Sequence, residues 1–191
     1  MKKIIIIGYL GLVLYSIYHI VFNFMNGNVL MDIFAFQVDP LIISVFNLLG
    51  LFPLALIMFA YSTNKLKPID YVPLLLGFVL GGFASIPYFI YKEKPNMKYF
   101  KWFKEISIVG IIMTTITILI GLINGNFQNY GDAFLNDSFV HIMTIDFLFL
   151  VLISPLLLKP VSRYYILGLI PIIGIFLTIF IEHFRLEKEA L

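Results

Sequence analysis

Asp146 is the one formally charged residue inside six long apolar stretches of this 191-residue chain, which makes it the first candidate for chemistry. A charge at the centre of a bilayer costs about 3 kcal/mol or more, so such a residue is a functional candidate by default. It must find a partner on another helix, bind a cation or proton, or stay protonated. His141 lies five residues before it. At about 100° per residue the two point about 140° apart, so one helix does not make a His–Asp dyad of them. His141 and Thr144 do share a face. His19 belongs to a small and polar stripe at helical spacing (Gly8, Gly11, Tyr15, Tyr18, His19, Phe22). That is the kind of face that packs against other helices. Asn47 sits six residues into the second stretch. Asp146, His141, Asn47 and His19 are the candidate polar pocket. Each also has a plainer reading: the histidines as interfacial or hydroxyl-satisfied rings, Asn47 as a hydrogen bond between helices. Glu182 and His183 mark the exit of the last stretch.

Recognised catalytic patterns are missing. The chain has no HExxH, no P-loop, no GxSxG and no GxGxxG. No two carboxylates share a stretch at helical spacing, which disfavours a metal-dependent lipid enzyme of the paired-aspartate type. Cysteine is absent, which removes disulfides, thiolate metal sites and a thiol nucleophile. Asn136-Asp137-Ser138 fits a glycosylation sequon, a match common by chance. No metal or other cofactor is implied.

The elements that hold these residues follow from composition. Apolar residues make up 61% and charged residues 13%, with mean hydropathy +0.99. Soluble domains run about 45–50% apolar and about 25% charged, so a water-soluble enzyme, a disordered chain and a nucleic-acid binder are excluded. A spanning helix needs about 20 apolar residues. Six stretches qualify: Ile4–Phe24, Leu41–Tyr61, Tyr71–Tyr91, Ile106–Asn124, Phe139–Leu158 and Tyr164–Ile181. They are too long for strands and do not alternate as barrel strands do. The expected fold is an all-α polytopic transmembrane bundle of six membrane-embedded segments, one integral membrane domain over residues 1–191. Lys2-Lys3 and the isoleucines after them begin like a signal peptide. The apolar run is too long and no small-x-small site follows, so a retained first helix is expected.

The loops carry unequal charge. Met25–Pro40 and Gly125–Ser138 hold Asp32, Asp39, Asp132 and Asp137 with no Lys or Arg. Lysines and arginines bias a loop toward the cytoplasm. If all six stretches cross, the basic residues divide six against seven, which is no bias. If Tyr71–Tyr91 enters and leaves on one face, they divide eleven against two. Pro73, Pro87 and the central Gly81-Gly82 are residues that permit such a reversal. Spanning remains the simpler expectation for an uncharged 21-residue run, and a balanced tally also fits insertion in both orientations. Only the reversal brings His19, Asn47, His141 and Asp146 to one depth.

Lys94–Lys104 combines charge and aromaticity. Read as a helix, it places Lys94, Lys98, Lys101 and Lys104 on one arc and Tyr99, Phe100, Trp102 and Phe103 on the other. That is the pattern of a helix lying in the membrane interface, with Trp102 at headgroup depth. Lys94, Lys98, Lys101, Trp102 and Lys104 are therefore expected to anchor the loop, in contact with membrane lipids, anionic ones included. The plainer reading is a topology anchor leading into the fourth stretch. Either way the Lys92–Glu105 loop is expected to be cytoplasmic, with the protein in the cell membrane. Gly77–Gly81 and Gly121–Gly125 have small-xxx-small spacing, and a homo-oligomer is left open.

Three patches, Phe46-Asn47-x-x-Gly50-x-x-Pro53, Gly81-Gly82 with Pro87-Tyr88-Phe89, and His141-x-x-Thr144-x-Asp146-Phe147, resemble a group of uncharacterised small multi-pass membrane proteins with cyanobacterial and plastid members. The resemblance runs from about Asp39 to the last stretch. It implies no established activity. It does imply that Asn47, Pro87, His141 and Asp146 are the positions to test. The expected function is a non-enzymatic membrane protein that binds a small or lipidic ligand, aids assembly or transports. The alternatives are an intramembrane enzyme acting on a lipid or isoprenoid, and a proton- or cation-coupled carrier using Asp146.

Overall fold

A computed structural model of the chain describes residues 2–35, 37–92, 97–98 and 100–190. Among them every regular element is helical: α1 Lys2–Phe22, α2 Val29–Phe34, α3 Pro40–Thr63, α4 Tyr71–Leu80, α5 Gly82–Tyr91, α6 Phe103–Asn124, α7 Phe127–Asn136, α8 Ser138–Leu158 and α9 Ile173–Ala190. Four of these, α1, α3, α6 and α8, are long and apolar enough to cross a membrane. They correspond to the first, second, fourth and fifth apolar stretches. The third and sixth stretches form no single helix of that length among the described residues.

The third stretch is a helical hairpin. Its two ten-residue helices meet at Gly81, whose φ of +54° is a left-handed value that glycine adopts without a Cβ penalty. A Cβ added at Gly77 of α4 would lie 3.0 Å from Ser85 Oγ of α5. In a straight helix those residues would be about 12 Å apart. At the open end, Asp70 and Lys92 form an ion pair of 2.7 Å. A continuous helix would separate them by about 33 Å.

The sixth stretch also reverses. A 3₁₀ turn over Tyr165–Leu169 runs back against the last turns of α8, where a Cβ on Gly168 would fall 2.7 Å from the Pro155 nitrogen. The chain then turns at Pro171-Ile172, and α9 starts only at Ile173. Pro171 has no N–H to continue a helix. Ile172 sits at φ 61°. That conformation is costly for a β-branched residue. Its side chain is completely buried, and that burial offsets the strain.

Neighbouring helices run antiparallel, which fixes what lies at each end. On α1 and α8, Gly8 faces Phe149, Tyr15 faces His141, and His19 faces Ser138. On α3 and α6, Ser44 meets Gly121, and Tyr61 meets Phe103. On α6 and α9, Gly110 meets the Phe176 ring, Phe103 meets His183, and Lys104 pairs with Glu187. It follows that every Lys and Arg among the described residues lies at one end, with the feet of both reversals. The other end carries α2, α7, Asp32, Asp39, Asp132 and Asp137.

Two of those aspartates cap helices. Asp39 accepts from the Leu41 N–H at 2.9 Å to start α3, and Asp137 accepts from the Val140 N–H at 3.0 Å to start α8. The main core joins α3, α5, α8 and α9 around Phe52, Leu56, Ile86, Leu150 and Phe176.

Candidate functional site

The tip of the α4–α5 hairpin rests on Asp146. The Gly82 N–H donates to Asp146 Oδ1 at 3.2 Å and Oδ2 at 3.0 Å. It is the first of the unpaired donors at the N-terminus of α5. The carboxylate thus lies at the positive end of a ten-residue helix, where negative charge is favoured. Glycine is required at both tip positions by proximity. A Cβ on Gly81 would be 1.9 Å from Asp146 Oδ2, and one on Gly82 would be 2.6 Å from Oδ1. Tyr9 of α1 donates its hydroxyl to the Phe83 carbonyl at 2.9 Å, which holds the tip from the other side. Asp146 is 2% exposed. Eight residues into α8, it lies about 12 Å from the start of that helix.

Beside this contact is a cavity of about 370 Å³. Ile20 and Phe24 line it from the end of α1, Leu49 from α3, Val79, Leu80 and Phe83 from the hairpin tip, and Ser138, Phe139, Ile142, Met143 and Asp146 from α8. Among the described residues, Asp146 is the only ionisable one on this wall. An apolar cavity of a few hundred Å³ with one or two placed polar groups has the proportions of a small-molecule site.

The histidines form a second cluster nearer the acidic end. The His19 and His141 rings stack at 4.2 Å with 7° between their planes, and Phe134 stacks on the far face of His141 at 4.3 Å. His141 Nδ1 lies 3.0 Å from the Phe134 carbonyl, so Nδ1 carries the proton and Nε2 accepts from the Tyr15 hydroxyl at 2.6 Å. His19 Nε2 is 3.1 Å from Ser138 Oγ, and that oxygen accepts from the Met25 N–H. The cluster fastens α1 to α8 along one wall of the cavity.

The four candidate residues are therefore divided. His19 and His141 come together, Asp146 goes to the hairpin tip, and Asn47 is exposed on α3. Helical spacing directs attention to side-chain partners for Asp146, and the partner it finds is the Gly82 backbone. The signal was the Gly81-Gly82 pair midway along the third stretch.

Among the described residues of the lysine-rich loop, the expected interfacial helix does not form. Lys94 lies outside the described residues. Residues 97–98 and 100–102 are not helical, and α6 starts at Phe103. The Lys98 N–H donates to the Ser62 carbonyl at 2.7 Å. That carbonyl is one of those left unpaired at the end of α3. The bond draws the backbone out of helix register. Lys101 lies over the Trp102 ring at 5.5 Å, and Trp102 is 66% exposed. Lys104 is committed to Glu187.

At the foot of the hairpin, burial pushes the Asp70 carboxyl up. The Lys67 N–H and the Lys92 ammonium outweigh that effect and hold it below its ordinary value.

No family model, curated protein or solved structure matches the chain.

Proposed function

We propose that this protein is a non-enzymatic, polytopic protein of the cell membrane that binds a lipidic ligand in the Asp146 cavity. The observation that carries this reading is an apolar cavity whose single ionisable wall residue is held in place by the tip of a broken helix. Non-helical backbone at membrane depth is tolerated where protein covers it or where it lines a cavity. The Gly81-Gly82 break meets both conditions.

The same reading assigns four crossings, α1, α3, α6 and α8, and two reversals that enter from one side. Residues 4–64 and 105–158 contain no Lys or Arg. With four crossings the basic residues then fall on one side, and the positive-inside rule makes that side cytoplasmic, the Lys92–Glu105 loop included. The exposed Trp102 and Lys101 belong at headgroup depth there, in contact with anionic lipid.

Binding is favoured over catalysis by what surrounds Asp146. The imidazoles are engaged with Tyr15, Ser138 and the Phe134 carbonyl, away from the carboxylate. A coupled carrier is the second reading, favoured by the half-helix terminus at membrane depth, a construction used for ion and substrate sites in transporters.

Mass spectrometry of lipids retained by the protein purified in mild detergent tests the first reading. One lipid class should be enriched over the bulk membrane and lost in Ile142→Trp, which fills the cavity. Identical profiles for protein, variant and bulk membrane would overturn it. Proton or cation uptake into proteoliposomes, abolished in Asp146→Asn, would favour the carrier.

A further inference from the structure

We propose that the ligand of this cavity carries a hydrogen-bond-donor head, a hydroxyl or an ammonium, and no phosphate. The proposal rests on the reading that the cavity binds a lipidic molecule, and it names the chemistry of the end that reaches Asp146.

The first ground is unused acceptor capacity. A carboxyl group offers about four lone-pair sites when ionised and keeps acceptor capacity when protonated. Asp146 receives one N–H, from Gly82, shared between its two oxygens. The remaining sites are buried, and a buried acceptor without a donor is costly. A hydroxyl or ammonium brought along the cavity supplies the missing donor, and an apolar chain behind it fills the space beside Phe83, Ile142 and Met143.

The second ground is charge. A phosphate head needs cationic or multiple N–H partners. Among the described residues, none that lines the cavity is a Lys, Arg or His; His19 and His141 lie behind Ser138, engaged with one another. All basic residues among those described lie at the opposite end of the bundle, and neither residues 23–39 nor 125–137 contribute any. A phosphate would meet a carboxylate in a site of low dielectric, where like charges repel strongly. Two helix N-termini border the cavity, those of α5 and α8, and they already give N–H groups to Asp146 and Asp137.

Three photoreactive probes with the same twelve-carbon, diazirine-bearing chain separate the possibilities: a primary alcohol, a primary amine and a monophosphate. Each is cross-linked to the full-length protein in nanodiscs of neutral lipid, and labelled peptides are mapped. The alcohol and the amine should label the Ser138–Leu150 region at least tenfold more than the phosphate does. Ile142→Trp should abolish that labelling. Asp146→Asn should lower amine labelling tenfold relative to the alcohol; if this variant does not fold, the head-group ranking on the unmodified chain decides. Phosphate labelling equal to that of the alcohol would overturn this proposal and leave the cavity reading standing. No labelling of the cavity by any probe would overturn both.

Discussion

Asp70 and Lys92 are 22 residues apart in the chain and 2.7 Å apart in space. The pair closes the foot of the α4–α5 hairpin. Asp70 is 3% exposed and also accepts from the Lys67 N–H. Lys92→Ala strands a buried carboxylate and should cost about 3 kcal/mol. Asp70→Ala should cost less, because the Lys92 stem can carry its ammonium to water. Unfolding of both variants in detergent checks the order.

The same carboxyl predicts a pH dependence. Its folded-state value lies below its unfolded one. Its contribution is therefore complete above the ordinary aspartate range, about pH 4 to 5, and is lost as the pH falls further. The acid-side fall in melting temperature should be shallower in Asp70→Asn than in the unmodified protein.

Gly81→Ala introduces a side chain at φ +54° and places its Cβ on Asp146 Oδ2. At ψ −131° this positive φ lies in a region held almost only by glycine, which costs about 1–3 kcal/mol for another residue, and the overlap adds to it. A loss of about 3 kcal/mol, or failure to accumulate folded protein, is expected. By contrast, a Cβ on Gly11 meets nothing within 4 Å. Gly11→Ala should stay within about 0.5 kcal/mol of the parent. Folded yield and melting temperature of the two variants make the comparison.

The His19–His141 stack should appear as coupling. In a double-mutant cycle of His19→Ala and His141→Ala, the interaction energy is expected at about 0.5–1.5 kcal/mol. Additive losses would mean that the rings are merely adjacent.

Because the chain has no cysteine, single cysteines report topology without background. Introduced at the exposed positions Lys65, Lys101 and Arg163, they should react with a membrane-impermeant maleimide from one side. At Asn28 and Asn129 they should react from the other. Arg163 separates this arrangement from one in which the last stretch crosses.

The long helices were legible because nothing competes with their apolar period. The structure starts the helices read as Leu41–Tyr61 and Phe139–Leu158 one residue earlier, at Pro40 and Ser138, where the Asp39 and Asp137 caps set them, and carries the first on to Thr63. The third stretch showed its glycines and prolines, yet composition alone weighs an uncharged 21-residue run toward crossing. What decides for reversal is tertiary: Asp146 on the tip and Lys92 on Asp70. The last stretch carried the same kind of signal in Gly168, Pro171 and Gly174, hidden in an unbroken run of apolar residues. The His19–His141 contact joins residues from opposite ends of the chain, a pairing that spacing within one helix does not reveal.

The segregation of charge also bears on how the chain enters its membrane. In the proposed topology, with the basic end cytoplasmic, residues 23–39 and 125–137 are the connecting stretches to be translocated, and neither contains a Lys or Arg. Both reversals can be folded in from the side of synthesis. The aspartate that receives the first hairpin is on α8, made more than fifty residues later than the tip it caps. Until α8 arrives, the Gly82 N–H has no carboxylate, so docking of this hairpin is a late step in assembly, completed only when α8 is in place.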